Sequence, residues 1–186
     1  CANKQYAVQS AGAFLSYLND TQKRSLEHIN SVEFVLLNNY MQLDANTRRN
    51  LELDATLRDN KKRGSLFWLL DKTKTNMGAR MLKSFLDRPL FDDKKINARL
   101  KGVEELIKNI IKRESLKELL SKIYDLERLT GKIAYGNLNP KDCLAILASL
   151  QLVPKILEEL SVFNSEIILN IKENLFDYSE IIQLLF

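Results

Sequence analysis

Two long stripes of apolar residues, each with the spacing of an α-helix, constrain the fold of this chain more than any other feature of its sequence. Residues three and four positions apart share one face of a helix, so each stripe predicts a long helix with one buried side. The stripes comprise Ile96, Leu100, Val103, Leu106, Ile107, Ile110 and Ile111, and then Leu116, Leu119, Leu120, Ile123, Leu126, Leu129 and Ile133. Only six glycines and three prolines occur among the 186 residues, which also favours long helices with few tight turns.

Further helices are predicted on both sides of these stripes. Residues 3–18 place Ala7, Ala11, Phe14, Leu15 and Leu18 at helical spacing. The apolar segment 65–72 predicts a short helix that is buried on more than one side. A helix that begins at Thr75 or Asn76 should end at Arg88, because the residue before Pro89 is disfavoured in the α conformation.

Polar residues mark where the later helices begin and end. Asp92 and Asp93 fall in the first turn of the helix that carries the first stripe, where the helix dipole favours negative charge. Gly136 is expected to follow the end of the second stripe. Asn139 and Pro140 predict a new helix, with asparagine at the cap and proline at the first helical position.

Residues 32–43 change to an alternating pattern. Val32, Phe34 and Leu36 occupy alternate positions before Asn38 and Asn39 interrupt the run. Asparagine tolerates the positive φ angles of tight turns, so the segment predicts a hairpin. The expected fold class is therefore mainly α, a multi-helix bundle with long, lever-like helices and a small β-hairpin near residues 32–43.

The charge of the chain is unevenly distributed. The net charge of +4 combines +6 in residues 1–100, +2 in residues 101–154 and −4 in residues 155–186. A basic front half could bind the phosphate backbone of a nucleic acid. The alternative is a set of solvated helix surfaces with mixed charges.

Two groups of residues in the front half each allow two interpretations. Arg48 and Arg49 are adjacent and point about 100° apart on a helix. Glu52 lies four residues from Arg48 and three from Arg49, so one of them could form an ion pair with it, or the two arginines could contact DNA phosphates. Trp68 could stack on a base, or it could be a core residue of the apolar helix at 65–72.

Residues suited to catalysis or metal binding are sparse. The two cysteines, Cys1 and Cys143, do not make a disulfide framework, and Cys143 is expected to be a small buried apolar residue. His28 is the only histidine. The glutamate pairs at 104–105 and 158–159 are adjacent on helices, so their carboxylates should diverge. The sequence predicts no catalytic, cofactor-binding or metal-ligating residue, and it identifies no specific DNA-binding residue.

Several segments of the chain, in order, resemble the core domain of the MutS family, whose members recognise mismatched DNA. The segments are QSAGAFLSYLNDTQKRSLEHI (9–29), LDANTRRNLEL (43–53), GSLFWLLDKTKTNMGARMLKSFLDRPLFD (64–92), INARLKGVEELI (96–107), YDLERLTGKIAYGNLNPKDC (124–143) and SLQLVP (149–154). Asn76 stands where the family usually has proline. The resemblance favours the bacterial type and the repair branch of the family.

The resemblance implies a division of the chain into two parts. Residues 1–22 would be the end of the connector, a linking helix, and residues 23–186 would be the core domain with the start of the lever helices. We expect an excised domain that stops before the DNA clamp. The mismatch-reading Phe-x-Glu motif and the ATPase P-loop of the family are absent from these 186 residues.

The function implied by the resemblance is mechanical. The core would couple mismatched-DNA binding to the ATPase of the parent protein, and the alternative is a helical module that contacts DNA phosphates through its basic front half. No cofactor is expected in this chain, whereas ATP and Mg²⁺ would bind the parent. The expected partners are the connector, clamp and ATPase domains, and DNA through the parent. The parent should be a cytoplasmic homodimer, with no membrane contact, and the fragment alone a monomer.

Overall fold

The computed structural model describes residues 4–21, 29, 31 and 40–185. The chain divides into two compact units, Cys1–Asn38 and Asn39–Phe186, and each is described by itself. Within the described ranges the regular structure consists of eleven α-helices, so the prediction of a mainly α chain is confirmed. The helices are α1 (Gln5–Thr21), α2 (Ala45–Asn50), α3 (Leu66–Leu70), α4 (Asn76–Asp87), α5 (Asp93–Lys108), α6 (Ile110–Ser121), α7 (Leu126–Ala134), α8 (Pro140–Leu150), α9 (Val153–Leu160), α10 (Glu166–Glu173) and α11 (Ser179–Leu185).

The helix of the first unit, α1, agrees with the helix predicted over residues 3–18. Its half-buried positions are Ala7, Ala11, Leu15 and Leu18, which follow the predicted apolar face. Phe14 is exposed, although the same spacing placed it on that face. At 100° per residue, Phe14 projects to one side of the line through Ala11 and Leu15.

In the second unit, side chains that accept backbone hydrogen bonds set the starts of the first helices. The carboxylate of Asp44 accepts the N–H of Thr47 at 2.6 Å and begins α2. The hydroxyl of Thr75 accepts the N–H of Gly78 at 2.9 Å and begins α4. The start of α4 was predicted, and α4 ends before Arg88 as the following proline requires.

Most of the predicted hairpin, residues 32–39, lies outside the described residues, so the hairpin stays a prediction. At the described end of that segment, Tyr40 forms an isolated antiparallel bridge with Leu90. The N–H of Met41 donates to the carbonyl of Pro89 at 2.8 Å. The structure describes no β-strand in residues 40–185.

The two predicted long helices are divided into three shorter ones, α5, α6 and α7. Asn109 breaks the first stripe with φ −111° and ψ 65°, and its side-chain amide donates to the carbonyl of Glu105 at 3.0 Å. The second stripe is interrupted after Ser121, and α7 restarts at Asp125, which caps it by accepting the N–H of Arg128. Apolar spacing continues across both breaks, which is why the sequence pattern did not reveal them.

The later helices begin and end where the sequence predicted. Asn139 caps α8 in a capping box with Asp142, and Pro140 occupies the first turn. Gly136 follows α7 with a φ of +67°, a conformation that glycine adopts without a steric penalty. The next helix, α9, begins at Val153, with Pro154 in its first turn.

Two apolar clusters form the core of the second unit. The first cluster lies among α5, α6, α9 and α10, and the second among α7, α8 and α11. The buried members are Leu116, Ile156, Leu160, Phe163 and Ile168 in the first cluster, and Leu129, Ile146 and Leu150 in the second. Cys143 is half-buried and free, so the prediction that it is fully buried is wrong.

Two parts of the predicted apolar surface are exposed. On α5, Gly102 is buried and Leu106 is half-buried, but Leu100, Val103 and Ile107 face outward. On α3, only Phe67 is buried. The prediction that α3 is buried on more than one side is therefore wrong, and so is the interpretation of Trp68 as a core residue, because its side chain is 43% exposed.

Gly102 allows α5 to approach α10 closely. A Cβ atom at this position would lie 2.6 Å from Cγ2 of Ile167, whereas a Cβ atom at Gly131 of α7 would meet nothing within 4 Å. Alanine at Gly102 is expected to lower the free energy of unfolding by about 1–3 kcal/mol because the contact is overpacked. Alanine at Gly131 is expected to raise it by up to about 1 kcal/mol through helix propensity. Urea unfolding of both variants checks this, and two stabilised variants would contradict the close approach.

Candidate functional site: polar links between helices

Arg80 joins α4 to the start of α7. Its guanidinium donates to both carboxylate oxygens of Asp125 at 2.8 and 2.6 Å. It also donates twice to Oε2 of Glu127, at 2.9 and 2.6 Å. The planar guanidinium matches this arrangement because its donors lie in one fixed fork. We call the group formed by Arg80, Asp125 and Glu127 the Arg80 fork.

The Arg80 fork also changes the acidity of its main acceptor. Hydrogen bonds from Arg80 lower the pKa of Asp125 below its ordinary value of 3.8, although burial of the carboxyl group opposes this shift. The N–H of Arg128 lowers the pKa further by donating to the same carboxylate. Asp125 therefore remains charged at neutral pH while it caps α7 and holds α4.

A second link involves Arg48 of α2. Its guanidinium donates to Asp54 at 3.2 Å and to Asp87 at the end of α4. The predicted pair with Glu52 is wrong, since Glu52 has a positive φ of 49° and accepts the N–H of Leu57 at 2.6 Å. Arg49 points elsewhere and is exposed.

Glu105 links α5 to the start of α10. Its carboxylate accepts the N–H of Asn164 at 2.7 Å and that of Ser165 at 2.9 Å, and the hydrogen bond from Asn164 is the largest cause of its lowered pKa. The neighbouring Glu104 turns to Lys108, 2.6 Å away on the exposed face of α5. The prediction that this glutamate pair diverges is confirmed.

Two more ion pairs connect neighbouring helices. Lys112 of α6 lies 3.0 Å from the carboxylate of Glu159 on α9. Lys132 of α7 donates to both carboxylate oxygens of Asp142 on α8, at 2.8 and 2.9 Å. Both acidic partners are partly buried, at 21% and 14% side-chain exposure. The two pairs fix the geometry of helices that the apolar clusters already hold.

The linking carboxylates are each occupied by a basic side chain or a backbone N–H, and they do not converge on a cavity. A cavity of about 620 Å³ lies between the helices, and aliphatic side chains form nearly all of its wall. Across the described ranges, no three histidine, cysteine, aspartate or glutamate side chains could hold one metal ion. His28 lies outside the described residues. None of the described helices is both long and apolar enough to cross a membrane.

No local pattern in the sequence predicts the Arg80 fork. Arg80 is separated from Asp125 and Glu127 by 45 and 47 positions, so only the tertiary fold brings them together. Glu105 was noted only as a member of a diverging pair. Its role as an acceptor for the start of α10 also depends on a residue far along the chain.

Known proteins identify the family of this chain. A family model described as MutS domain III matches residues 46–184. The "DNA mismatch repair protein MutS" of Lachnoclostridium phytofermentans is 48% identical over 174 residues, covering 92% of this chain and 19% of that protein. The protein of the same name from Bacillus cytotoxicus is 50% identical over 158 residues, covering 85% of this chain and 18% of that protein. The chain thus spans about a fifth of the length of these bacterial relatives, and it belongs to the MutS domain III family.

Proposed function

We propose that this chain is the helical core of a longer DNA mismatch repair protein, in which it mechanically couples the binding of mismatched DNA to an ATPase. The relatives named above are mismatch repair proteins about five times as long as the chain. The structure supports a mechanical function because its polar residues connect helices to one another. Rigid-body rotation of packed helices is a common carrier of such coupling.

The Arg80 fork is the observation that carries this proposal. It joins α4 to the residues at the start of α7 through four hydrogen bonds of 2.6–2.9 Å. A movement imposed on α4 would therefore reach α7 without first passing through the chain between them. Glu105 joins a separate pair of helices, α5 and α10, in a similar way.

We assign the remaining functions of the longer protein to its other parts. In this proposal, residues 1–22 end the connector, residues 23–186 form the core with the start of the lever, and the clamp and ATPase domains are the partners. ATP and Mg²⁺ would bind the ATPase domain, because this sequence has no P-loop. The longer protein would be a cytoplasmic homodimer.

Replacing Arg80 by glutamine in a full-length MutS protein that carries this segment is expected to weaken the coupling. Coupling free energies between two sites are typically about 1–3 kcal/mol, so nucleotide should change the affinity for mismatched DNA by roughly fivefold or more. In the variant we expect this ratio to fall at least threefold, because α4 and α7 are no longer tied. Fluorescence anisotropy of a mismatched duplex, with and without ATP, measures the ratio.

Lys83→Gln is the matched control on the same helix. Lys83 lies 3.5 Å from Asp54, in the connection between α2 and α3. Replacing Lys83 therefore leaves the hydrogen bonds between Arg80 and α7 in place. The control should retain the ratio of the unmodified protein. An unchanged ratio in the Arg80→Gln variant would contradict the proposal, provided that its DNA and ATP affinities measured separately are normal.

A second candidate function is DNA binding through the basic front half. The observation that favours it is the concentration of charge in residues 57–74, which contain six basic and two acidic residues. Contact with phosphate backbone would be strongly salt-dependent and would not distinguish a mismatch. Titration of the chain with a DNA duplex tests this candidate, because the mechanical function does not require the chain itself to bind DNA.

A further inference from the structure

An exposed apolar surface formed by Leu66, Trp68, Leu69 and Leu70 surrounds the buried Phe67 on α3. Trp68 is 43% exposed and Leu69 is 60% exposed. These four residues, which we call the α3 surface, occupy most of the circumference of a five-residue helix. Clustered exposed apolar residues of this kind are typical of interaction sites rather than of free surface.

The segment of chain that contains the α3 surface is rich in positive charge. Residues 57–74 carry a net charge of +4, which equals the net charge of the whole chain. The guanidinium of Arg63 lies 6.0 Å from the centre of the Trp68 ring. Lys62 lies 4.4 Å from the centre of the Phe67 ring and 3.2 Å from Asp71, so it is already partnered.

Four other basic residues of this segment remain open to an external anion. They are exposed and form no ion pair with any residue that the structure describes. The residues are Arg58, Lys61, Lys72 and Lys74. An acidic partner would gain favourable electrostatic interactions here without displacing an existing partner.

The exposed leucines of the α3 surface indicate which kind of polyanion can bind there. A nucleic acid phosphate would pair with the basic residues, and a base could stack on Trp68, but neither would cover Leu66, Leu69 and Leu70 with apolar groups. A protein segment with leucine-like side chains on one face and carboxylates beside them would satisfy both parts of the surface. Apolar burial at about 25 cal/mol per Å² would then add to the electrostatic attraction.

We propose that the α3 surface is a docking site for an acidic, leucine-containing amphipathic helix that lies outside residues 1–186 of the longer protein. The relatives contain about four-fifths of their length beyond the matched region, which provides ample chain for such a segment. This origin of the partner rests on the proposed function. The recognition chemistry does not, because it requires neither nucleotide nor mismatch.

Trp68 is the only tryptophan of the chain, so its fluorescence reports directly on the α3 surface. The probe is a synthetic amphipathic helix of about 18 residues, with leucines on one face and glutamates elsewhere. The comparison probes are a peptide of the same composition with the leucines scattered, the same design with lysine in place of glutamate, and a 20-base-pair duplex. Each is titrated into the 186-residue chain, and Trp68 emission is recorded at low and high salt.

The amphipathic acidic peptide is expected to shift Trp68 emission to shorter wavelength in a saturable manner, more weakly at high salt. Leu69→Gln and the double variant Arg63→Gln/Lys72→Gln should each weaken binding at least about tenfold, as loss of a central contact does. The matched controls are Leu144→Gln and Lys141→Gln/Lys155→Gln, at exposed positions of α8 and α9, and they should bind like the unmodified chain. Far-UV circular dichroism verifies that all variants are folded.

Three outcomes would overturn the proposal. The first is equal binding of the scattered and amphipathic peptides, which would mean that charge alone acts. The second is tighter binding of duplex DNA that Leu69→Gln does not affect, which would favour the nucleic-acid function. The third is self-association in sedimentation that Leu69→Gln abolishes, which would assign the surface to a second copy. None of these bears on the nucleotide-coupling experiment, so the two proposals fail separately.

Discussion

Aspartate in place of Leu129 is expected to destabilise the second unit by more than about 4 kcal/mol, which is exceptional for a single substitution. Leu129 is 7% exposed and belongs to the apolar cluster with Ile146 and Leu150. The substitution removes the leucine contacts, worth about 2–5 kcal/mol when a leucine is truncated in a core. It also places a carboxylate among aliphatic side chains with no basic partner. Thermal unfolding followed by circular dichroism should show a transition far below that of the unmodified chain, or none.

The matched control is the same substitution at Leu144, which is 63% exposed on α8. It should have a much smaller effect, since the new carboxylate remains in water. Lys117→Ala should stay within about half a kcal/mol of the original stability, as surface changes usually do. Leu106→Asp should fall between the extremes, because Leu106 is half-buried against the first cluster. Equal melting temperatures for these variants would mean that the core face is wrongly assigned.

Alanine in place of Phe163 is expected to cost about 3–5 kcal/mol of stability, the range for a phenylalanine truncated in a core. The side chain is fully buried, at 0% exposure, in the cluster with Leu116, Ile156 and Ile168. It lies in the connection between α9 and α10, and its carbonyl accepts a hydrogen bond from Lys172 at 3.0 Å. Its removal would leave a cavity where three helices meet. Urea unfolding monitored by circular dichroism measures the loss.

Phe176→Ala provides the comparison, because Phe176 is 66% exposed in the connection that follows α10. Its truncation should change the stability far less. A small effect at both phenylalanines would show that α9 and α10 do not depend on Phe163. A large effect at Phe176 alone would place the core on the other side of α10.

Local chemistry in the sequence was sufficient to predict where several helices begin. Thr75 and Asn139 each accept a backbone hydrogen bond one turn along their helix. Such caps depend on neighbouring residues alone, so the sequence contains all the information that they need. The end of α4 is equally local, because Pro89 constrains the residue before it.

The breaks between helices and the partners of charged residues could not be predicted in this way. Asn109 interrupts a run whose apolar spacing continues on both sides. Arg48 prefers Asp54 and Asp87 to Glu52, because the chain after α2 turns Glu52 away. The exposure of Trp68 is also a tertiary property, since nothing in a short apolar segment says how many of its sides are covered.

The candidate site was the part of the molecule that was hardest to predict from the sequence. The resemblance of residues 43–53 and 64–92 to the MutS family gave the family correctly, but that resemblance does not say which side chains connect the helices. The Arg80 fork requires residues from two segments that resemble the family separately, 64–92 and 124–143. Their meeting is a property of the folded chain.

The contact at Gly102 determines how two helices can move. Because no side chain separates the backbone of α5 from Ile167 of α10, neither helix can roll over the other without a collision. Close-packed contacts of this type permit a few discrete arrangements instead of a continuous range. We therefore expect α5 and α10 to move as one rigid pair in any larger motion of the protein.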